Sequence, residues 1–224
     1  MGNDKVIQFD LLKNAKDSIR HVVELLAFKD IGSDHSRLKH AITGTANCVE
    51  LLLKERLRRV RDELIFQKEN EFLSADAHTV NVRTAIDRLK RHGHVILSDV
   101  DKQNLCSLLE ARNGIVHYKW SAPEKQAREM VGNALSFAFG FAQEELQVDL
   151  TTRFKDDDTW AMLLNEISEF RSSYGARLEN RFRIKGEHPQ CCDDCGELTV
   201  PISGGTCELC GHSQSIDEDD SPVG

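Results

Sequence analysis

No apolar run in the 224 residues approaches the roughly 18 consecutive positions that a membrane-spanning helix needs. The opening Met1-Gly2-Asn3-Asp4-Lys5 lacks the basic-then-apolar layout of a secretory signal, and Val6 stands where myristoylation at Gly2 wants Ser or Thr. A soluble, cytoplasmic protein with no membrane partner is the expectation. A glycine-rich phosphate loop, a nucleophile elbow and a His-Glu-x-x-His pair are all missing. The chemistries that depend on them therefore have no carrier here. Residues 187–224 hold no Lys or Arg against nine acids. That end of the chain should repel phosphates. The net charge of -8 belongs to it, since residues 1–100 carry 17 bases against 15 acids. Overall acidity thus says little against an anionic ligand on the body of the protein.

What is present is mostly helical periodicity. With 40% hydrophobic residues, the chain supports one ordinary globular domain plus a small appendage. Apolar residues at helical spacing predict five helices over residues 1–150, joined by short connections into an antiparallel bundle. The first runs from Lys5 to Lys29 and breaks at Ile31-Gly32-Ser33-Asp34. The second runs from about His35 to Asn70, weakened at Gly44. The third runs from Ala77 to Arg91, stopped by Gly93. Ser98 or Asp99 caps the fourth, and Ser121, with Pro123 in the first turn, opens a fifth that reaches about Gln147. Residues 151–186 form a connecting helix opened by Asp156-Asp157-Asp158-Thr159 and lined by Trp160, Leu163, Leu164, Ile167, Phe170 and Tyr174. The all-α fold then gives way to a small module over 187–214, and the acidic residues 215–224 form a disordered tail.

Of seven cysteines, Cys48 and Cys106 sit alone in helical patterns and read as small core residues. The others cluster. Cys192-x2-Cys195 and Cys207-x2-Cys210 form two knuckles, each followed by a glycine, Gly196 or Gly211, that can take the positive φ turning backbone N–H groups toward sulfur. Glu197 to Ile202 alternates like a strand, and Gly204-Gly205 supplies a turn. This is the layout of a zinc ribbon with a structural, four-thiolate zinc and no catalytic metal. Cys191 is an alternative first ligand, and His188 and His212 are alternative donors. The metal supplies the folding energy of so small a unit. Its acidity suits a protein contact or a shield over the basic body.

The remaining chemistry lies late in the fourth helix. Leu105, Leu108 and Leu109 mark its buried stripe, and four residues past Leu108 comes Arg112. A buried, unpaired guanidinium costs several kcal/mol, so Arg112 should face a cleft, an acid or an anion. Asn113 and His117 follow, four apart. An arginine, an amide and an imidazole that exchanges protons near neutral pH make a set suited to holding and cleaving a phosphodiester. Two basic stretches are candidate RNA contacts. Lys54 to Arg61 reads either as an RNA-tracking face or as a solvated helix face. Arg83, Arg88, Lys90 and Arg91, near His92 and His94, form a second cluster, and Lys119 lies beside the motif. Tyr118 and Trp120 suit base stacking, core packing or an interface.

Arg112-Asn113-x-x-x-His117 resembles the Arg-x4–6-His signature of the HEPN superfamily (higher eukaryotes and prokaryotes nucleotide-binding), and residues 1–150 are similar to its helical layout; the ribbon lies outside it. The resemblance implies a metal-independent endoribonuclease whose site closes between two copies of a homodimer. His117 would be general base or acid for 2′-hydroxyl attack. Arg112 would hold the scissile phosphate, and Asn113 would position the phosphate or orient His117. Products would carry 2′,3′-cyclic phosphates. The setting implied is a toxin or antiphage-defence effector with an antitoxin or defence-system partner. A toxin branch of the family carries Tyr two residues after the His, where a partner enzyme modifies it. Lys119 holds that position here, so that mode of neutralisation does not carry over. The alternative is a non-catalytic HEPN dimer, serving as a protein-interaction or RNA-binding module.

Overall fold

The computed structural model describes residues 10–28, 34–71, 74, 76–155 and 158–216. Helix α1 (Leu11–Ala27) starts where the Asp10 carboxylate accepts from Lys13 N at 2.7 Å, and it buries Ala15, Ile19, Val22, Val23 and Leu26. The expected start at Lys5 and the break over residues 31–33 lie outside the described residues. Helix α2 (Asp34–Val60) returns antiparallel to α1. Arg37 donates to the Leu25 and Leu26 carbonyls at 2.9 and 2.7 Å, which satisfies acceptors that the end of α1 leaves open. Gly44 is the price of contact between these helices: a Cβ there would lie 2.5 Å from Val22 Cγ2.

Helix α2 ends ten residues before the expected Asn70. Arg61 turns extended (φ -167°, ψ 131°), and a 3-10 turn over Asp62–Ile65 buries Leu64. Arg88 holds this excursion, donating to the carbonyls of Leu64, Phe66 and Gln67 at 2.8, 2.6 and 3.1 Å. Helix α3 (Val82–Arg88) opens at an Asn81 cap rather than at Ala77 and passes into a π turn over Leu89–Gly93. The left-handed residue that ends it is His94 (φ 55°), one beyond Gly93. Helix α4 (Asp99–His117) is capped by Ser98, whose hydroxyl accepts from Asp101 N at 3.0 Å. Helix α5 (Glu124–Leu146) starts at Pro123 with no side-chain cap, so Ser121 does not take that role.

Helix α5 is the axis of the fold, buried on most of its circumference from Ala134 to Ala142. The single connecting helix expected after it is three: α6 (Thr152–Lys155), α7 (Thr159–Glu166) and α8 (Ser168–Ile184). The break at Ile167 (φ -116°, ψ 77°) lets α8 lie along α5. Arg128 donates to the Glu166 carbonyl freed there and pairs with Glu169 at 3.4 Å. Gly132 faces Phe170 and Gly140 faces Arg177, so α5 and α8 run parallel. The ends of α2 and α5 also meet in parallel, through Arg56–Glu145 at 3.1 Å and Arg59 to the Leu146 carbonyl at 2.5 Å. The bundle is therefore of mixed direction, not antiparallel throughout. A Cβ at Gly132 would stand 2.7 Å from Phe170 N and 2.8 Å from Glu169 C, both backbone atoms that cannot swing aside. Gly132→Ala should therefore cost about 1–3 kcal/mol despite alanine's better helix propensity, measurable by urea denaturation.

In the stretch from Lys54 to Arg61, Lys54, Glu55 and Leu57 are buried, while Arg58, Arg59 and Arg61 stay exposed with acid partners. Glu55, with its side chain 3% exposed, bridges Arg58 and Arg59 at 2.9 and 3.0 Å. Lys54 is buried against Glu50 and Thr79, at 2.5 and 2.8 Å. Burial alone pushes the Glu55 carboxyl upward, but hydrogen bonds from both guanidiniums outweigh it and leave it below the ordinary value of 4.5. A lowered carboxyl stabilises the fold above its unfolded value and loses that contribution as pH falls through the folded value. Glu55→Gln should destabilise by about 1–3 kcal/mol at pH 7, the lower part of the buried-pair range because both arginines are partly in water. The gap from wild type should close as denaturation midpoints are followed down through pH 4.

Beyond α8, β1 (Gln190–Cys191) pairs antiparallel with β2 (Leu198–Val200). The ribbon has little core of its own and borrows one: Val200, Cys207 and Leu209 are contiguous with the buried residues of the helices. The Trp160 indole N–H donates to the Leu209 carbonyl at 2.7 Å, and Arg181 pairs with Glu208. Gly175 meets Glu197, where a Cβ would come within 2.8 Å of its carboxylate. Two of the ribbon's acids, Glu197 and Glu208, thus face α8. No described helix is long and apolar enough to cross a membrane.

Candidate functional site

Two constellations were expected, and the structure assembles the first completely. The Sγ atoms of Cys192, Cys195, Cys207 and Cys210 all lie within 4.8 Å of one another. Cys192 and Cys210 stand 3.6 Å apart, Cys195 and Cys207 3.7 Å. Four thiolates at a metal–sulfur distance of about 2.3 Å, tetrahedrally arranged, have edges of about 3.8 Å, so the quartet fits a metal ion. Gly196 (φ 76°) and Gly211 (φ 84°) take the left-handed turns expected of them. Gly205 (φ 64°) does so in the turn after Pro201. Cys210 N–H approaches Cys207 Sγ at 3.3 Å and the Thr199 hydroxyl lies 3.0 Å from it. Burial disfavours the thiolate at Cys207, yet these donors outweigh it and lower its pKa. At Cys195 burial prevails and pushes the thiol up to about 12. A cation held there would supply the compensation that such a desolvated set needs.

Cys191, the alternative ligand, is exposed and turned toward the Gly196 carbonyl at 3.4 Å, outside the quartet. His188 and His212 are exposed and also outside it. Thr199 is a contributor that spacing did not reveal, since β2 alone brings it to the sulfur. Cys48 is fully buried, its thiol pushed up to about 12 by burial, and Cys106 is half-buried.

The second constellation sits on the last two turns of α4. The buried stripe does not run from Leu108 to Arg112. It steps to Ala111 and continues into half-buried Ile115, which leaves Arg112 at its border, half-buried. Arg112 Nη1 donates to Asn113 Oδ1 at 3.0 Å, and no carboxylate among the described residues pairs with it. Asn113 and His117 are exposed one turn apart. The helix remains regular through Gly114, so Arg112 and His117 stay five positions, about 140°, apart around the axis.

The candidate RNA contacts divide. Arg83 reaches Glu110 at 3.6 Å, one turn before Asn113, and Lys119 is exposed just past His117. Arg88 is committed to the backbone carbonyls described above. Arg91 bonds the Asp87 carbonyl at 3.3 Å. Lys90 acts on Asp99, whose carboxyl is held low chiefly by Lys102. Asp99 opens the 19-residue α4 at the end opposite His117, roughly 27 Å away. The second basic cluster therefore does not converge on the motif as a unit. Comparison of this chain with family models, with curated proteins and with solved structures finds no match, so what the two constellations do is read from their own geometry.

Proposed function

We propose that this protein is a metal-independent endoribonuclease of the HEPN type, with Arg112, Asn113 and His117 as its site and a structural zinc in the ribbon. The observation that carries the reading is the exposed end of α4. There a guanidinium free of any carboxylate is held by the neighbouring amide, and an imidazole stands free one turn along. An arginine left without an acid on a protein surface is available to a phosphate.

The reaction follows from those groups. His117 removes the proton from a ribose 2′-hydroxyl, whose oxygen forms a bond to the adjacent phosphorus. Arg112 holds the phosphate and neutralises charge as it develops. The bond from phosphorus to the 5′-oxygen breaks, and that oxygen takes a proton as it leaves. One His117 cannot be base and acid at the same moment, and Arg112 faces a different side of the helix. Two copies facing across α4, each presenting the exposed side that bears Glu110, Asn113 and His117, supply both groups. A toxin or defence effector is the setting this chemistry suits. The test is cleavage of tRNA, rRNA and mRNA in EDTA, kept short so that the ribbon stays loaded, with a 2′-deoxy substrate alongside. Cyclic-phosphate ends from wild type and none from His117→Ala are expected. Intact RNA throughout would leave the non-catalytic dimer.

A further inference from the structure

We propose that the groove beside the last turn of α4 is a nucleotide subsite for single-stranded RNA, with Tyr118 and Trp120 as its base platform and Lys39 and Lys119 as its phosphate clamp. The inference rests on the ribonuclease reading for the choice of RNA, but its geometry stands on separate residues.

The groove encloses about 440 Å³, within the range of small-molecule sites and large enough for a nucleotide. Three parts of the chain build it. The first turns of α2 bring His35 and Lys39, the loop after α4 brings Tyr118, Lys119 and Trp120, and the start of α5 brings Glu124. Leu38, Ile115 and Ala127 give it apolar lining. Its cations differ from most arginines of this fold. Arg56, Arg58, Arg59, Arg128, Arg177 and Arg181 all have acid partners, whereas neither Lys39 nor Lys119 has one among the described residues. Two unpaired ammonium groups on one groove suit a phosphate between them.

The aromatics define the rest of the ligand. Tyr118 is 93% exposed, so its ring contributes next to nothing to the core. Trp120 is half-buried and pinned, because Gly114 lets the returning loop pack tightly against α4. A Cβ at Gly114 would lie 3.0 Å from the Lys119 carbonyl oxygen and 3.1 Å from Trp120 Cβ. A ring fixed in advance loses little entropy when a base stacks on it. An acidic peptide would satisfy the lysines but leave both rings without a role. A duplex keeps its base faces covered. The Glu124 carboxylate repels a second phosphate and accepts from a base amino group, which favours a base on that side of the groove. Tyr118 follows His117 directly, so a strand lying across the end of α4 passes from one to the other.

The test uses full-length, metal-loaded His117→Ala protein, so that bound RNA stays intact, with fluorescein-labelled adenine and uracil decaribonucleotides followed by anisotropy. Adding Lys39→Glu and Lys119→Glu together should weaken binding at least tenfold. It should also reduce the slope of log K against log salt by about 0.7, the single-strand value for the one phosphate no longer neutralised. Tyr118→Ala and Trp120→Leu should each weaken binding by about 5- to 150-fold, the range for one stacked base. Tyr118 is too exposed for its loss to unfold the protein, and leucine keeps apolar volume against Gly114. Duplex RNA of the same length should bind at least tenfold more weakly. Binding within twofold of the parent by all these variants, no binding by the parent at millimolar RNA, or displacement by poly-glutamate at equal charge would each overturn the subsite. The two readings separate cleanly. Wild type that fails to cleave, with the binding losses intact, sinks the nuclease and keeps the groove. Wild type that cleaves, with variants binding normally, does the reverse.

Discussion

Cys207→Ser is expected to abolish stoichiometric metal binding and to lower the melting temperature of the helical body along with that of the ribbon. Cys207 Sγ is the most supported corner of the quartet, meeting the Thr199 hydroxyl and the Cys210 N–H. Losing one thiolate leaves three desolvated sulfurs with an incomplete tetrahedron. Structural zinc contributes on the order of 10–16 kcal/mol of apparent folding energy in zinc-finger peptides, and a unit this small has no other source of comparable size. The damage should spread because the ribbon is built into the body. Trp160 is 2% exposed beneath it and donates to Leu209, while Arg181 and Arg171 of α8 face Glu208 and Glu197. If only about 4 kcal/mol of the loss reaches the helices, the melting temperature should fall by roughly 8–16 °C for a chain of this size. Metal analysis should give about one equivalent for wild type and far less for the variant. Trp160 emission should shift to the red as the indole meets water. Cys191→Ser is the matched control, exposed and outside the quartet, and should change neither reading. Full metal retention in Cys207→Ser, or a body that melts unchanged without metal, would refute the coupling.

The quartet was legible because its signal is local. Paired Cys-x-x-Cys spacing with trailing glycines fixes both knuckles without reference to the rest of the chain. The start of α4 was legible to within one residue, Ser98 or Asp99, for the same reason, a cap preceding a periodic helix. The misses are of another kind. Trp160, Leu163, Leu164, Ile167, Phe170 and Tyr174 keep helical spacing straight through the break at Ile167, so hydrophobic period alone cannot register it. What decides the break is Gly132 and Arg128 on a different helix. The end of α2 is similar, set by Arg88 holding carbonyls 21 to 24 residues earlier. Charge was the most ambiguous signal. Arg56 and Glu145 are 89 residues apart, and a run of bases reads equally as an RNA-tracking or a solvated face until such partners are found. The groove has the opposite history. Lys39 and His35 carry no motif, and only the fold sets them opposite Tyr118 and Trp120.

His117→Ala should remove RNA cleavage by about 10²–10⁴-fold, the usual worth of a positioned acid–base group, while leaving the fold alone. His117 is exposed at the end of α4 with no partner among the described residues, so its truncation should alter stability by no more than about 0.5 kcal/mol. That separation is what gives the variant its force, since loss of activity cannot then be laid to loss of structure. Arg112→Ala should cost a comparable 10²–10³-fold, the scale of about 3–4 kcal/mol for a donor aimed at developing charge. Arg112→Lys should rescue little of it, because a point ammonium does not reproduce a planar fork held by Asn113 Oδ1. Asn113→Ala should fall between wild type and Arg112→Ala if its work is to hold that guanidinium. The readout is initial cleavage rate on one RNA, with melting temperature and bound metal measured on every preparation. Equal cleavage by wild type and His117→Ala would assign the activity to another site or another protein. A loss in His117→Ala accompanied by a matching fall in melting temperature would return the imidazole to a structural role.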